Sequence, residues 1–385
     1  MDEFDLKCLA HQFMINAVEV QANDNIWIEY IGEKAKVLAR ACERKVREAQ
    51  GHPFLVDSGA AVINSTIGPL SPEQFEKLGQ ERLAAMRTMQ GYIRIKDDAD
   101  EEKIELPAAQ LDLYRKAMRP MTDYRVNNTR WLVVAAPASE FAAACGMTLS
   151  DFERFYLDVC LTDYRNMSEA VKPLEKMMTE GKTVRIYSPA QQTDLSFSIE
   201  GIPGVPCTGQ RNIPDGECYT APVKDSVAGQ IKFGPSSYNG QRFEFIKLKF
   251  EHGKIQEAEA ENAERTSKLN EILDSDSGAR YVGEFSINFN PFIQFPTGSI
   301  LFDEKIAGGI HMAMGNCYEA APNGNRSVVH WDMVHIQRPE FGGGELYIDG
   351  NLIRKDGLFI IPELEPLNPD HLKDLRAGAS GRGDT

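Results

Sequence analysis

Near residue 185 the chain changes its hydrophobic period, and that change limits the folds open to it. Before it, short β-rich runs alternate with helical stretches. Residues 4–20, 33–50, 72–90 and 107–118 carry helical patterns, and 25–30 (NIWIEY), 52–56, 91–95 (GYIRI) and 131–136 read as strands. A long helical region over 150–182 ends in KPLEKMMTEGK, with a glycine as its stop signal. Strands separated by helices of this length predict an open, mostly parallel sheet with helices on both faces. After residue 185 short alternating strands take over, among them TDLSFSI (193–199), RFEFIKLKF (242–250) and GEFSINF (283–289), and Gly and Pro become frequent. One helical interruption, 257–273, is charged on most sides and reads as a solvated surface helix. The expectation is an α/β N-terminal domain over 1–185 and a β-rich α+β C-terminal domain over 186–385. Two domains suit 385 residues at about 150 residues per domain. No G-x-G-x-x-G or G-x-x-x-x-G-K-[ST] follows any of the strands, so nothing predicts a dinucleotide or P-loop site.

Charge restricts the partners. Asp and Glu number 57 against 42 Lys and Arg, a formal charge of −15. Such a chain has no general attraction to nucleic acid or to an anionic membrane, whereas its carboxylates suit cations. Seven cysteines, odd in number and with no C-x-x-C spacing, predict reduced thiols in the cytoplasm rather than a disulfide framework. The acidic start MDEFDLKCLAHQF lacks the basic and apolar regions of a signal peptide, and no run of about 18 apolar residues predicts a membrane span. The Gly-rich end GASGRGDT reads as a frayed tail, its RGD a chance match.

The chemistry gathers in the second half. His11, His52, His252, His335 and His371 have no carboxylate or second histidine in a telling register. His330 and Asp332 do. They lie in the apolar run VVHWDMVHI at i and i+2, on one side of a strand and about 6.6 Å apart along it, with Trp331 and Met333 on the other side. An aspartate pointing inward from an apolar strand needs a compensating charge. Just upstream, LFDEKIAGGIHMAMGNCYE (301–319) brings Glu304, His311 and Tyr318. His311 and Tyr318 would face opposite ways on a continuous strand, so a turn at Gly315-Asn316 is needed to bring them to one side. Glu217 in NIPDGECYTAP and Glu284 in YVGEFSINFNP add two carboxylates, each of which taken alone reads as a turn or surface residue.

Carboxylate and imidazole ligands without thiolate suit Zn, Mn, Co or Fe. Four carboxylates and two imidazoles exceed the needs of one ion and suit two, about 3.5–4 Å apart and bridged by a carboxylate and a water. Such a pair activates water, polarises a carbonyl and leaves acidic groups to hold a peptide α-amine, which is the chemistry of a metallo-aminopeptidase. A serine-protease reading is weaker: there is no G-x-S-x-G, and Ser327 near His330 lacks that context. Cys317 has no assigned base.

RNIPDGECYTAPVKDSV (211–227), GARYVGEFSINFNPFI (278–293), LFDEKIAGGIHMAMGNCYE (301–319), NRSVVHWDMV (325–334) and GGELYIDGNLIRKDG (343–357), taken in order, resemble the aminopeptidase T, aminopeptidase S and PepS family of metallo-aminopeptidases. Weaker similarity reaches back through 146–164. The resemblance implies two-domain homodimers acting on short peptides, and two divalent ions (Zn, Co or Mn) held by Glu217, Glu284, Glu304, His311, Tyr318, His330 and Asp332. It implies Glu304 as the base that takes the proton of the bridging water, and Tyr318 as a metal ligand or oxyanion stabiliser. The seven-residue interval from Glu304 to His311 and the twelve-residue interval from Tyr318 to His330 depart from relatives, the second implying a different pocket wall. Substrate preferences vary widely across the family, so side-chain preference does not carry over. Two other readings use the same residues. His311, His330 and Asp332 alone would make a two-His-one-carboxylate site for a non-haem Fe(II) ring-cleaving dioxygenase, which would leave Glu217 and Glu284 unused. A non-catalytic protein could keep the metal for stability.

Overall fold

A computed structural model describes residues 1–97, 105–238 and 240–373. The Gly-rich tail discussed above lies outside the described residues. The chain forms two compact units. One comprises Met1–Leu161 with Gly209–Pro214, and the other comprises Thr162–Thr208 and the residues from Asp215 on.

The first unit is α/β. Its five-stranded sheet is parallel throughout and runs in the order His52–Asp57, Asn25–Ile31, Gly91–Lys96, Arg130–Ala135, Asn212–Ile213. Central strands of a parallel sheet are covered on both faces and read as near-continuous apolar runs. Accordingly Ile26, Trp27, Ile28, Tyr30 and Ile31 are all buried. The helix Glu33–Glu48 buries Ala35, Leu38, Ala39, Cys42 and Val46 at helical spacing. Pro72–Met86 opens on a reciprocal cap between Ser71 and Gln74. The helix Ala108–Asn128 runs ten residues beyond its expected end, straight through Pro120. An internal proline costs about 3 kcal/mol, and packing opposes it here. At Gly79 a Cβ would stand 2.4 Å from the Ala117 carbonyl, so the two helices meet backbone to backbone. Phe75 and Tyr114 pack edge to face beside that contact.

The second unit is β-rich. An eight-stranded antiparallel sheet runs in the order Lys254–Ala260, Ile246–Glu251, Ala228–Phe233, Thr193–Ser198, Thr183–Ser188, Glu345–Ile348, Asn351–Lys355, Leu358–Phe359. A five-stranded antiparallel sheet runs His330–Ile336, Gly309–Gly315, Val282–Asn288, Glu217–Thr220, Val205–Cys207. Phe285 of the smaller sheet meets Phe197 of the larger at 5.0 Å between ring centres. The faces bearing Phe285, Ile287 and Met333 therefore turn inward to an apolar core. Among the described residues no helix is long and apolar enough to cross a membrane.

The architecture is the expected pairing of an α/β unit with a β-rich α+β unit; four details differ. Residues 162–185 cluster with the second unit, not the first. The helical region 150–182 is three helices, Leu149–Cys160, Tyr164–Ala170 and Lys172–Glu180, because Asp163 caps a new helix with its side chain. Residues 242–250 are two strands in different sheets, since Phe243 and Ile246 are both buried at an odd spacing that one flat strand cannot satisfy. Residues 254–260 form an edge strand rather than the start of a helix. Pairing with Ile246–Glu251 overrides the helical propensity of its Glu and Ala, and the helix begins only at Ala263.

Candidate metal centre

The five-stranded sheet assembles the site by register alone. Glu284 pairs with Ala313, which pairs with Asp332; Ser286 pairs with His311, Asn288 with Glu217, and Gly315 with His330. Directly opposed residues share a face, and so do residues two apart. Glu217, Glu284, His311, His330 and Asp332 therefore project from the face opposite Phe285. The strands Val282–Asn288 and Gly309–Gly315 are buried at all seven positions, so their polar row lies inside the protein, not in solvent. Glu217 and Glu284, which alone read as turn or surface residues, are buried strand residues at 5% and 3% exposure.

Within this row the ligating atoms form two groups of three, Glu217–Glu284–His311 and Glu284–His330–Asp332, each with all atoms within 4.8 Å. Glu284 is common to both. Its Oε1 lies 3.4 Å from His311 Nε2 and its Oε2 lies 3.4 Å from His330 Nε2. His330 Nε2 also stands 3.4 Å from Asp332 Oδ1. These separations exceed those of ordinary hydrogen bonds, and among the described residues the buried His330 Nε2 and Asp332 Oδ1 have no hydrogen-bond partner. About 3.4 Å is instead the edge of a tetrahedron drawn by ligands at about 2.0–2.1 Å from one ion.

The other ring nitrogens are pinned. His311 Nδ1 donates to the Glu304 carbonyl at 2.9 Å and lies 3.1 Å from Asn288 Oδ1. His330 Nδ1 donates to the Asn316 carbonyl at 2.8 Å. A carbonyl can only accept, so Nδ1 carries a hydrogen in both rings and each Nε2 is left facing Glu284. This is the orientation that metal-bound histidines take from the groups behind them.

Electrostatics agree. Burial acts against charge on His311 and His330, yet the surrounding carboxylates win and push them up to about 9 and about 12 respectively. Burial raises Asp332 and Glu284, but the imidazoles hold both below their ordinary values, Asp332 at about 2. A pocket that draws positive charge so strongly onto its imidazoles is one that fits a divalent cation.

The two remaining expected residues stand beside these groups. Glu304 caps the short helix Ile300–Asp303, and burial, partly offset by the Lys305 ammonium, raises its carboxyl to about 7. Among the described residues its carboxylate joins neither group of three. Tyr318 lies in the loop after the strand Gly309–Gly315, which ends at a glycine with φ +102°, the turn that the sequence required. Its ring packs on His330 at 4.7 Å and on Tyr219 at 5.6 Å, and the residue is 47% exposed.

Three supporting residues were not anticipated. Ser286 Oγ donates to Glu217 Oε2 at 3.0 Å, and Asn288 braces His311. Both were legible in GEFSINF, where Glu, Ser and Asn alternate with Phe and Ile and so share one face. Lys305 carried no such signal; beside Asp303 and Glu304 it reads as a surface charge, yet it is 1% exposed.

Residues 3–357 match the family model of the thermophilic metalloproteases (M29). Aminopeptidase 2 of Geobacillus stearothermophilus is 33% identical over 163 residues, 38% of this chain and 37% of that protein; the aligned stretch thus spans little over a third of that relative. Aminopeptidase AmpS of Bacillus subtilis is 24% identical over 348 residues, covering 80% of this chain and 77% of AmpS. Among solved structures, AmpT from Thermus thermophilus superposes with a TM-score of 0.73 at 20% identity, covering 93% of this chain and 100% of AmpT. A 2,5-dihydroxypyridine dioxygenase from Pseudomonas putida KT2440 shares the fold at a TM-score of 0.61 and 13% identity, over 94% of this chain and 98% of its own. With the family model covering nearly the whole chain, this protein belongs to the M29 family of thermophilic metalloproteases.

Proposed function

We propose that the chain is a metal-dependent aminopeptidase that removes N-terminal residues from short peptides with a water activated between two divalent ions. The observation that carries this reading is Glu284, whose two carboxylate oxygens each face a different imidazole at 3.4 Å. Glu217 and His311 complete one position, and His330 and Asp332 the other. Zinc, cobalt or manganese bound there would lower the pKa of water and polarise the scissile carbonyl. Glu304 takes the proton from the attacking water; its own carbonyl already orients His311. Tyr318, stacked on His330 and reaching solvent, supplies a ligand or a donor to the oxyanion. The excess of carboxylates holds the α-amine of the substrate.

A single iron on His311, His330 and Asp332 would leave Glu217 and Glu284, both buried within the same groups, without a role. The dioxygenase shares the fold, and nothing in the site favours its chemistry. The setting is the cytoplasm, where cysteines stay reduced. The working form is a homodimer; a sedimentation mass of one 43.0 kDa chain would refute that.

The test is hydrolysis of leucyl-p-nitroanilide by metal-stripped protein titrated with cobalt, zinc and manganese. Activity is expected to return as about two ions bind per chain. Inactivity with all three ions, on a panel of aminoacyl p-nitroanilides and dipeptides, would overturn the reading.

A further inference from the structure

Lys305 has no part in the peptidase reading, yet it is among the most buried charged side chains of the second unit. Its Nζ lies 2.6 Å from Glu217 Oε1, 2.9 Å from Glu304 Oε1 and 3.8 Å from Asp215 Oδ1. An ammonium is a compact charge with three donors and no acceptor, and here three carboxylates converge on it. Two of these carboxylates, Asp215 and Glu217, belong to a third group with metal-ligand spacing. Cys207, Asp215 and Glu217 place their ligating atoms within 4.8 Å of one another. This inner group shares Glu217 with the outer ones and differs from them in offering a thiol, which favours softer ions.

We propose that Lys305 is the resident cation of the inner group, its ammonium taking the place that a third divalent ion would otherwise fill. Divalent ions are thereby confined to the two outer groups that share Glu284. Glu217 turns Oε1 to Lys305, while its Oε2 accepts from Ser286 and lies 3.5 Å from His311 Nδ1. Among the described residues Glu304 is held by one oxygen only. Lys305 is thus a positioning residue for Glu304. Unlike an exchangeable ion, a lysine cannot be lost to solution or replaced by a wrong metal. The proposal rests on the peptidase reading only in treating the outer groups as the working metal positions.

Cadmium, whose bond to a thiolate absorbs in the near ultraviolet, tests it. The natural protein titrated with cadmium is expected to show no absorption that depends on Cys207, so that its difference from Cys207→Ser is flat. Lys305→Met is expected to bind about one further cadmium per chain and to gain the thiolate absorption. The double variant Lys305→Met/Cys207→Ser should lose that absorption, and Lys305→Arg, which keeps the charge, should behave as the natural protein. Cys207-dependent absorption in the natural protein, or none in a folded Lys305→Met, overturns the proposal. If Lys305→Met does not fold, the comparison of the natural protein with Cys207→Ser still decides. Peptide hydrolysis by the cobalt-loaded natural protein is measured alongside. Its failure would remove the peptidase reading and leave the cadmium result to judge Lys305.

Discussion

Single residues in this protein do what their surroundings compel, and two histidines show the range. His330 is drawn toward the charged form by Asp332 and Glu284 after burial is overcome. His335, five positions along the same strand, points to the other face. There it is bonded to the Lys232 carbonyl at 2.7 Å and to Ser188 Oγ at 3.1 Å, and burial pushes it down to about 4. A histidine held below its free value of about 6.5 stabilises the fold above that value, and the contribution is lost as pH falls through about 4. The natural protein should therefore lose about 3 kcal/mol across that window that His335→Gln does not lose. Urea midpoints measured for both proteins from pH 7 to pH 4 check this; parallel curves would refute it. Glu304 is the other residue whose role can be isolated. Replacing it with Gln keeps its size and its carbonyl bond to His311, so Glu304→Gln should retain its metal content while kcat falls by about 10²–10⁴. Loss of metal in that variant would make Glu304 a ligand rather than a base.

At the scale of elements, two buried strands and one pinned loop define the centre. The run GEFSINF was legible as a strand with Glu, Ser and Asn on one side, and HWD as a pair sharing a side, because alternation follows from backbone geometry alone. Which residue lies opposite which was not legible, since register depends on partners distant in sequence. The loop from Asn316 to Val329 carries Tyr318, and asparagine side chains hold it in place. Asn323 donates to the carbonyls of Pro222 and Val282, and Asn325 to those of Gly278 and Gly315. Its first hinge is Gly315, at φ +102°, where a Cβ would lie 2.2 Å from the Val329 carbonyl. Gly315→Ala combines a disfavoured φ with a backbone clash and should cost about 1–3 kcal/mol or more. It should also reduce activity by displacing Tyr318. Thermal unfolding and kcat measured together check this; an unchanged melting temperature would show that the strand end can relax.

Over the whole molecule, all the candidate ligands belong to the second unit. Ions bound there should stabilise that unit selectively, by about 2.7 kcal/mol at a hundredfold excess over Kd. Calorimetry of metal-stripped and reloaded protein should show the unfolding transition of the second unit moving upward on reloading. A transition indifferent to metal would mean that the buried carboxylates and imidazoles are satisfied without it. What the sequence by itself determined was what rests on local periodicity and composition: the change of texture near residue 185, the strand face that His330 and Asp332 share, and the need for a turn at Gly315. The tertiary structure decided the rest. It let Pro120 sit inside a helix by packing Gly79 against Ala117, and it made a strand of 254–260 by pairing it. It also turned Lys305, by appearance a surface charge, into the buried partner of three carboxylates. The physical reason is that periodicity is a property of one segment, whereas burial and charge pairing belong to segments that folding brings together across tens of residues.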